Sequence, residues 1–299
     1  MKFRKYQHIE KLNTIETGGI ENGLCYVFPK IDGTNGSVWL DNGEIKAGSR
    51  NRELTLDYDN AGFYEWVLQQ ENIKRFFKNN PDCTLYGEWL VPHTLKTYRE
   101  ESWRKFYVFD ILKEDGNYIP YEEYISTLTI FNIDFIPALC KINNPDISRL
   151  PELLDKNKYL IKDNAGIGEG IVIKNYDYKN RFGRITWAKI VANEFKDNHS
   201  KNTNFGVTEI LQKSEIEEKI VNKFITESLI EKEYSKIVTE ENGWSSKYIQ
   251  RLFGVVWYCL IKEEMWNVLK EFGNQKIDFK RLNHLTVQKI KQVKIDLFQ

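Results

Sequence analysis

A chain of 299 residues that is 41% apolar and 14% aromatic can fill one large core or two ordinary ones, and its 29% charged fraction suits a soluble protein. Basic and acidic residues balance at 43 each, which excludes a polycation gripping nucleic acid with its whole surface. Four scattered cysteines, Cys25, Cys83, Cys140 and Cys259, exclude a disulfide framework and a Cys-x-x-Cys zinc site, and reduced thiols fit an intracellular protein.

The start, Met1-Lys2-Phe3-Arg4-Lys5, is basic but lacks the apolar run of a signal peptide. Residues 1 to 22 read as an irregular or partly helical lead-in closed by Gly18-Gly19. Strand patterns follow at Leu24 to Phe28, Gly36 to Leu40 and Glu44 to Ala47, with Asp41-Asn42-Gly43 as a hairpin signal between the last two. The apolar run before Lys30 ends in that lone lysine, and Asp32-Gly33 then turns the backbone. By itself, Lys30-Ile31-Asp32-Gly33 reads more readily as a surface lysine beside a hairpin turn than as a reactive amine.

Gly62 to Lys78 carries Phe63, Trp66, Val67, Ile73, Phe76 and Phe77 at amphipathic helical spacing. Strands are expected at Cys83 to Val91 and Lys105 to Leu112, helices at Tyr121 to Phe131 and Pro151 to Lys158, and strands again at Gly170 to Lys174 and Arg184 to Val191. After about residue 204 proline disappears and long helical patterns take over, at Val207 to Val238, Ser246 to Phe272 and Thr286 to Leu297. The longest apolar stretch, Leu252 to Ile261, is too short to span a bilayer. The expectation is an α+β domain of antiparallel sheets with flanking helices over residues 1–204, followed by a small all-helical domain over residues 205–299.

Two local patches are basic. Lys174, Lys179, Arg181, Arg184 and Lys189 stand against Asp177, and Lys276, Lys280, Arg281, Lys289, Lys291 and Lys294 against Asp278. Each reads equally as a phosphate surface or a solvated face. His8, His199 and His284 show no metal-ligand spacing, and His93 reads as a hydrogen-bonded loop residue more readily than as a nucleic-acid contact.

Five clusters put a charged or aromatic residue beside an apolar strand: Lys30-Ile31-Asp32-Gly33, Tyr86-Gly87-Glu88, Phe109-Asp110, Glu169 through Lys174, and Trp187-Ala188-Lys189. Carboxylates beside strands are costly unless paired or coordinated, so Glu88, Asp110 and Glu169 call for partners. Paired carboxylates could serve glycoside hydrolysis, but that leaves Lys30 and Lys189 without a role.

In order and content these clusters resemble the covalent nucleotidyltransferase superfamily of DNA ligases, RNA ligases and capping enzymes. Thr34-Asn35 after the lysine motif, Arg50 downstream and Gly87-Glu88-Trp89 resemble the RNA ligase branch. The resemblance covers roughly residues 5 to 200 and implies an adenylation domain, ATP-grasp-like in kind, that uses ATP with Mg²⁺ or Mn²⁺. It implies that Lys30 attacks the α-phosphate of ATP, with Lys189 and Lys174 offsetting phosphate charge. Phe109 would stack on adenine, Glu88 would accept from ribose, and Arg50 would hold the ribose or phosphates, with Ile31 and Asn35 also lining the nucleotide. Glu169, and with it Asp110, would serve a divalent metal; Asp32 and Asp110 could equally position a lysine or cap a turn. Two departures are Trp187, where Lys-x-Lys is common, and Pro29, where many relatives carry Glu.

The helical ending, including Leu285 to Ile290, resembles the type-2 bacteriophage RNA ligases that seal nicks in duplex RNA, whereas DNA ligases and capping enzymes continue into an OB barrel. The resemblance implies a cytoplasmic monomer, of a kind that viruses and phages also encode, that joins RNA ends in nicked or structured RNA for repair. The competing expectations are a ligase for DNA or hybrid duplexes and a non-catalytic RNA-binding relative.

Overall fold

The computed structural model describes residues 1–92, 95–192 and 216–298. The chain divides into two compact units, Met1–Ala192 and Asn193–Gln299. The boundary expected near residue 204 lies outside the described residues.

In the first unit, nine strands run in chain order: β1 (Glu10–Lys11), β2 (Leu24–Lys30), β3 (Thr34–Asp41), β4 (Glu44–Ser49), β5 (Cys83–Trp89), β6 (Phe106–Lys113), β7 (Cys140–Asn143), β8 (Gly170–Lys174) and β9 (Ala188–Val191). They form a five-stranded sheet ordered β1-β9-β8-β2-β7 and a four-stranded sheet ordered β4-β3-β5-β6. All pairings are antiparallel except β1 with β9. Asn42 and Gly43 both take positive φ, 50° and 83°, and close the two-residue hairpin that Asp41-Asn42-Gly43 signals. Asp32-Gly33 makes no hairpin. Residues 31–33 instead carry the chain from one sheet to the other, since β2 and β3 lie in different sheets.

The lead-in is not helical: it holds turns and the short strand β1, whose two polar residues carry no alternation to read. Strand β7, Cys-Lys-Ile-Asn, does alternate, but over four residues only, too short a run to stand out. The helical pattern expected from Pro151 to Lys158 takes the form of a run of 3-10 turns, Ile147–Lys156, begun by Asp146, whose side chain accepts from Ser148 N–H.

Helices α1 (Phe63–Leu68), α2 (Glu71–Asn79) and α3 (Tyr121–Ile130) cover one face of the four-stranded sheet. The single helix expected over Gly62 to Lys78 breaks at Gln69-Gln70. Val67 and Ile73 are both fully buried, yet in one continuous helix they would stand about 120° apart around the axis. The break lets both face the core. On its other face the sheet presents Tyr86, Tyr107 and Leu112, which pack with Tyr26, Phe28 and Val172 of the five-stranded sheet. The candidate site residues line this layer between the sheets.

The second unit is helical where described: α4 (Ile216–Phe224), α5 (Glu227–Glu240), α6 (Ile249–Cys259), α7 (Met265–Phe272) and α8 (Phe279–Val293). Residues 207–215 of the long helix expected from Val207 lie outside the described residues. Its remainder breaks at Thr226, whose hydroxyl caps α5 by accepting from Leu229 N–H at 3.2 Å. A π-turn, Leu260–Glu264, joins α6 to α7. One extra residue stretches two turns from about 7.2 to about 8.2 residues, and this keeps Leu260 and Val268, eight apart, on one fully buried line. No helix among the described residues is long and apolar enough to cross a membrane.

Candidate active site

Lys30 is the last residue of β2 and lies directly opposite Gly170, the first residue of β8. Opposed residues in an antiparallel ladder share a face, and side chains alternate along each strand. Tyr26, Phe28 and Lys30 therefore share a face with Lys174, Val172 and Gly170, and Val172 opposes Lys189 on β9. Three lysines, at 30, 174 and 189, thus share the face turned toward the other sheet. Gly170 leaves the position beside Lys30 bare, and a Cβ there would lie 2.2 Å from the Ile190 carbonyl oxygen. Across this gap the Lys30 Nζ meets Glu169 Oε2 at 2.5 Å.

Residues 31–33 continue the site onto the second sheet. Ile31 is buried in the layer between the sheets. Asp32 N–H donates to Tyr98 Oη at 2.7 Å, and the Asp32 carboxylate accepts from Leu95 N–H at 2.6 Å, which ties the loop after β5 to the site. Gly33 N–H donates to Glu88 Oε1 at 3.0 Å. A Cβ at Gly33 would stand 2.5 Å from the Trp89 carbonyl oxygen, so only glycine passes here. Asn35 opposes Glu88 and shares its face. Removal from water pushes the Glu88 carboxyl up to about 7; Lys30 and the Gly33 hydrogen bond oppose this, while Glu169 and Asp32 add to it.

Phe109 and Asp110 are not at a strand end. They sit mid-strand in β6, where the register slips: Tyr86 opposes Asp110, and Gly87 opposes Val108. Phe109 is the extra residue of this bulge, and Phe109 and Asp110 in succession turn toward the same layer. The Asp110 carboxylate accepts from the Tyr6 hydroxyl and pairs with Lys174 at 2.8 Å; Lys174 also donates to the Phe109 carbonyl oxygen at 2.6 Å. Asp110 and Lys174 are 0% and 2% exposed, and burial raises the acid's pKa and lowers the amine's. The rings of Phe28, Phe109 and Trp187 stand 4.8, 5.7 and 5.6 Å from the Lys174 nitrogen. Trp187, the residue that replaces the first lysine of Lys-x-Lys, is thus part of the aromatic enclosure of Lys174.

Arg50 follows β4 and meets His8 Nδ1 at 3.3 Å, and His8 Nε2 lies 3.7 Å from Glu10. His93 and His199 lie outside the described residues. Asn157 carries no sequence signal yet brackets Glu169: its side-chain amide donates to the Gly170 carbonyl at 2.5 Å, and its own carbonyl accepts from Gly168 N–H at 2.7 Å. Among the described residues no three His, Cys, Asp or Glu side chains gather around a metal position. In the second unit, among the six basic residues between Lys276 and Lys294, Arg281 pairs with Glu218 and Lys294 with Glu231, each at 3.0 Å, and the Lys291 nitrogen lies 5.6 Å from the Phe298 ring.

The RNA ligase family model matches residues 24–191, from the first residue of β2 to the last of β9. The chain belongs to the RNA ligase family. Every candidate residue from Lys30 to Lys189 falls inside that match, and the helical unit lies beyond it. No curated protein matches the chain by sequence. Among solved structures, the chain is similar to a Naegleria gruberi RNA ligase with PPi (22% identity, TM-score 0.50, covering 67% of this chain and 58% of that one). It is also similar to two point mutants of that ligase with AMP and Mn, each at 19% identity and TM-score 0.51, covering 66% of this chain and 58% of that one. The likeness shows the shared fold, and the family member described here spans 58% of the length of those chains.

Proposed function

We propose that the chain is an ATP-dependent RNA ligase that joins a 3′-hydroxyl to a 5′-phosphate, most naturally across a nick in duplex or structured RNA. The observation that supports this is the Lys30–Glu169 contact at 2.5 Å, placed between two sheets and flanked by a carboxyl held near neutrality at Glu88. An ammonium has no lone pair, and Glu169 is the group within reach to receive its proton. The freed Nζ attacks the α-phosphorus of ATP; an N–P bond forms as the bond to pyrophosphate breaks. The RNA 5′-phosphate then displaces Lys30 from AMP, and the 3′-hydroxyl displaces AMP to form the phosphodiester.

Glu88, Asn35, Arg50, Ile31 and Phe109 would hold the nucleoside, Phe109 by stacking on adenine. Lys189 would face the phosphates. Lys174, already matched to Asp110, would shape the floor beneath Phe109. The Glu169 carboxylate beside Lys30 offers the hard oxygen donors a divalent cation prefers; among the described residues no three-ligand protein cage stands there, so substrate phosphates would complete the coordination. Mg²⁺ or Mn²⁺ held by Glu169 together with substrate phosphates would supply positive charge at the transferring phosphoryl group. The helical unit would engage the RNA through its remaining basic residues.

The test is sealing of a duplex RNA nick carrying a labelled 5′-phosphate, beside the same nick in DNA. ATP-dependent joining of the RNA nick is expected. Faster joining of the DNA nick, or no joining with ATP and a divalent cation, would overturn the reading.

A further inference from the structure

The basic stretch between β8 and β9 has no part in the site described above. It folds into a tight hairpin tip closed by the Lys179–Ile185 bridge. Asn180, only 7% exposed, organises it. Its side-chain oxygen accepts from Phe182 and Arg184 N–H at 2.9 and 3.1 Å, and its amide donates to the Thr186 hydroxyl at 3.0 Å. Its backbone exchanges bonds with Arg184 and Gly183, the latter at φ 73°. The base of the hairpin is tied down as well, because Tyr178 donates to the carbonyls of Glu16 and Gly18. A rigid tip therefore holds Lys179, Arg181, Phe182 and Arg184 in solvent, with Arg181 4.7 Å from the Phe182 ring and Phe182 57% exposed. Asp177 is the one acid in the stretch.

A large exposed aromatic set among three cations has no folding role here, and its chemistry is that of a nucleic-acid contact. We infer that this hairpin grips the phosphate backbone of duplex RNA away from the ends being joined, an inference that rests on the RNA ligase reading. Lys30 and Gly170 mark one end of the β2–β8 ladder, and the hairpin leaves from the other. Strand β8 alone separates them by about 14 Å at about 3.4 Å per residue. The hairpin therefore reaches only substrates whose duplex arm extends beyond that distance from the nick.

The experiment compares the full chain with the Arg181→Gln/Arg184→Gln double variant, using fluorescent nicked RNA with long or trimmed arms. With long arms, the variant's Kd should rise about tenfold at low salt, and its salt slope should fall by about two. Transfer of AMP to the protein should be unchanged, and Arg181→Lys/Arg184→Lys should keep the wild-type slope. Trimmed substrates should bind both proteins alike. Wild-type affinity and slope in the Gln variant, or an equal loss on trimmed arms, would overturn the inference. Wild-type protein that binds RNA but takes up no AMP would instead overturn the ligase reading, and the binding comparison would still decide the role of the hairpin.

Discussion

The Lys30 amine reaches the Glu169 carboxylate across a ladder position that has no side chain. Gly170 opposes Lys30, and the Ile190 carbonyl crowds the place where its Cβ would stand, 2.2 Å away. Gly170→Ala must push β9 aside or twist β8. It should destabilise the first unit by about 1–3 kcal/mol and slow AMP transfer to Lys30. Thermal melting and labelled ATP read the two effects; an unchanged melt and rate would mean that the ladder gives freely here.

Glu88 makes stability depend on pH. Its folded pKa, about 7, lies above the ordinary 4.5, so folding favours its protonated form. Below the ordinary value both states hold the proton, and nothing is lost. As pH rises from there the unfolded state releases its proton first, stability falls, and the loss is complete above about 7. Glu88→Gln keeps an oxygen for Gly33 N–H and removes the charge. It should raise the melting temperature at about pH 8.5 and leave it unchanged near pH 4. An equal shift at both values would contradict the assignment.

Asp110 and Lys174 form a sealed ion pair. Lys174→Met leaves a buried carboxylate with only the neutral donors Tyr6 and Trp187, and should cost about 3–5 kcal/mol at neutral pH. Adding Asp110→Asn should recover part of that loss, because the orphaned charge is gone. Denaturant titration of the three variants tests the coupling; strictly additive losses would show that the pair does not act as one.

Asn157 holds the backbone on both sides of Glu169. Asn157→Ala removes its bond to Gly170, with an expected loss of about 1–3 kcal/mol. AMP transfer should slow with little change in KM for ATP, since the carboxylate is misplaced rather than removed. A rise in KM at constant rate would assign Asn157 to nucleotide binding instead.

What could be read from sequence was local. Asn42-Gly43 announces its hairpin because positive φ at both positions suits few other residues. The motif residues are legible because lone charges beside apolar runs are costly. Pairings across the fold were not legible. Nothing near Asp110 points to Lys174 or Tyr6, and the bulge that turns Phe109 and Asp110 together appears only in the β5–β6 register. Strand β1 is too short and polar to show alternation, β7 alternates over four residues only, and their partners define them. The helix break at Gln69-Gln70 follows from tertiary burial of Val67 and Ile73, which overrides a continuous local pattern.

The central claim is that Lys30 carries AMP. Intact-protein mass spectrometry after incubation with ATP and Mg²⁺, followed by peptide mapping, tests it most directly. The wild-type chain should gain about 329 Da, the mass of a covalent adenylyl group, on the peptide containing Lys30. The adduct should be acid-labile and absent from Lys30→Ala. An adduct of the same mass on Lys30→Ala, or one mapped to another residue in the wild type, would contradict the account.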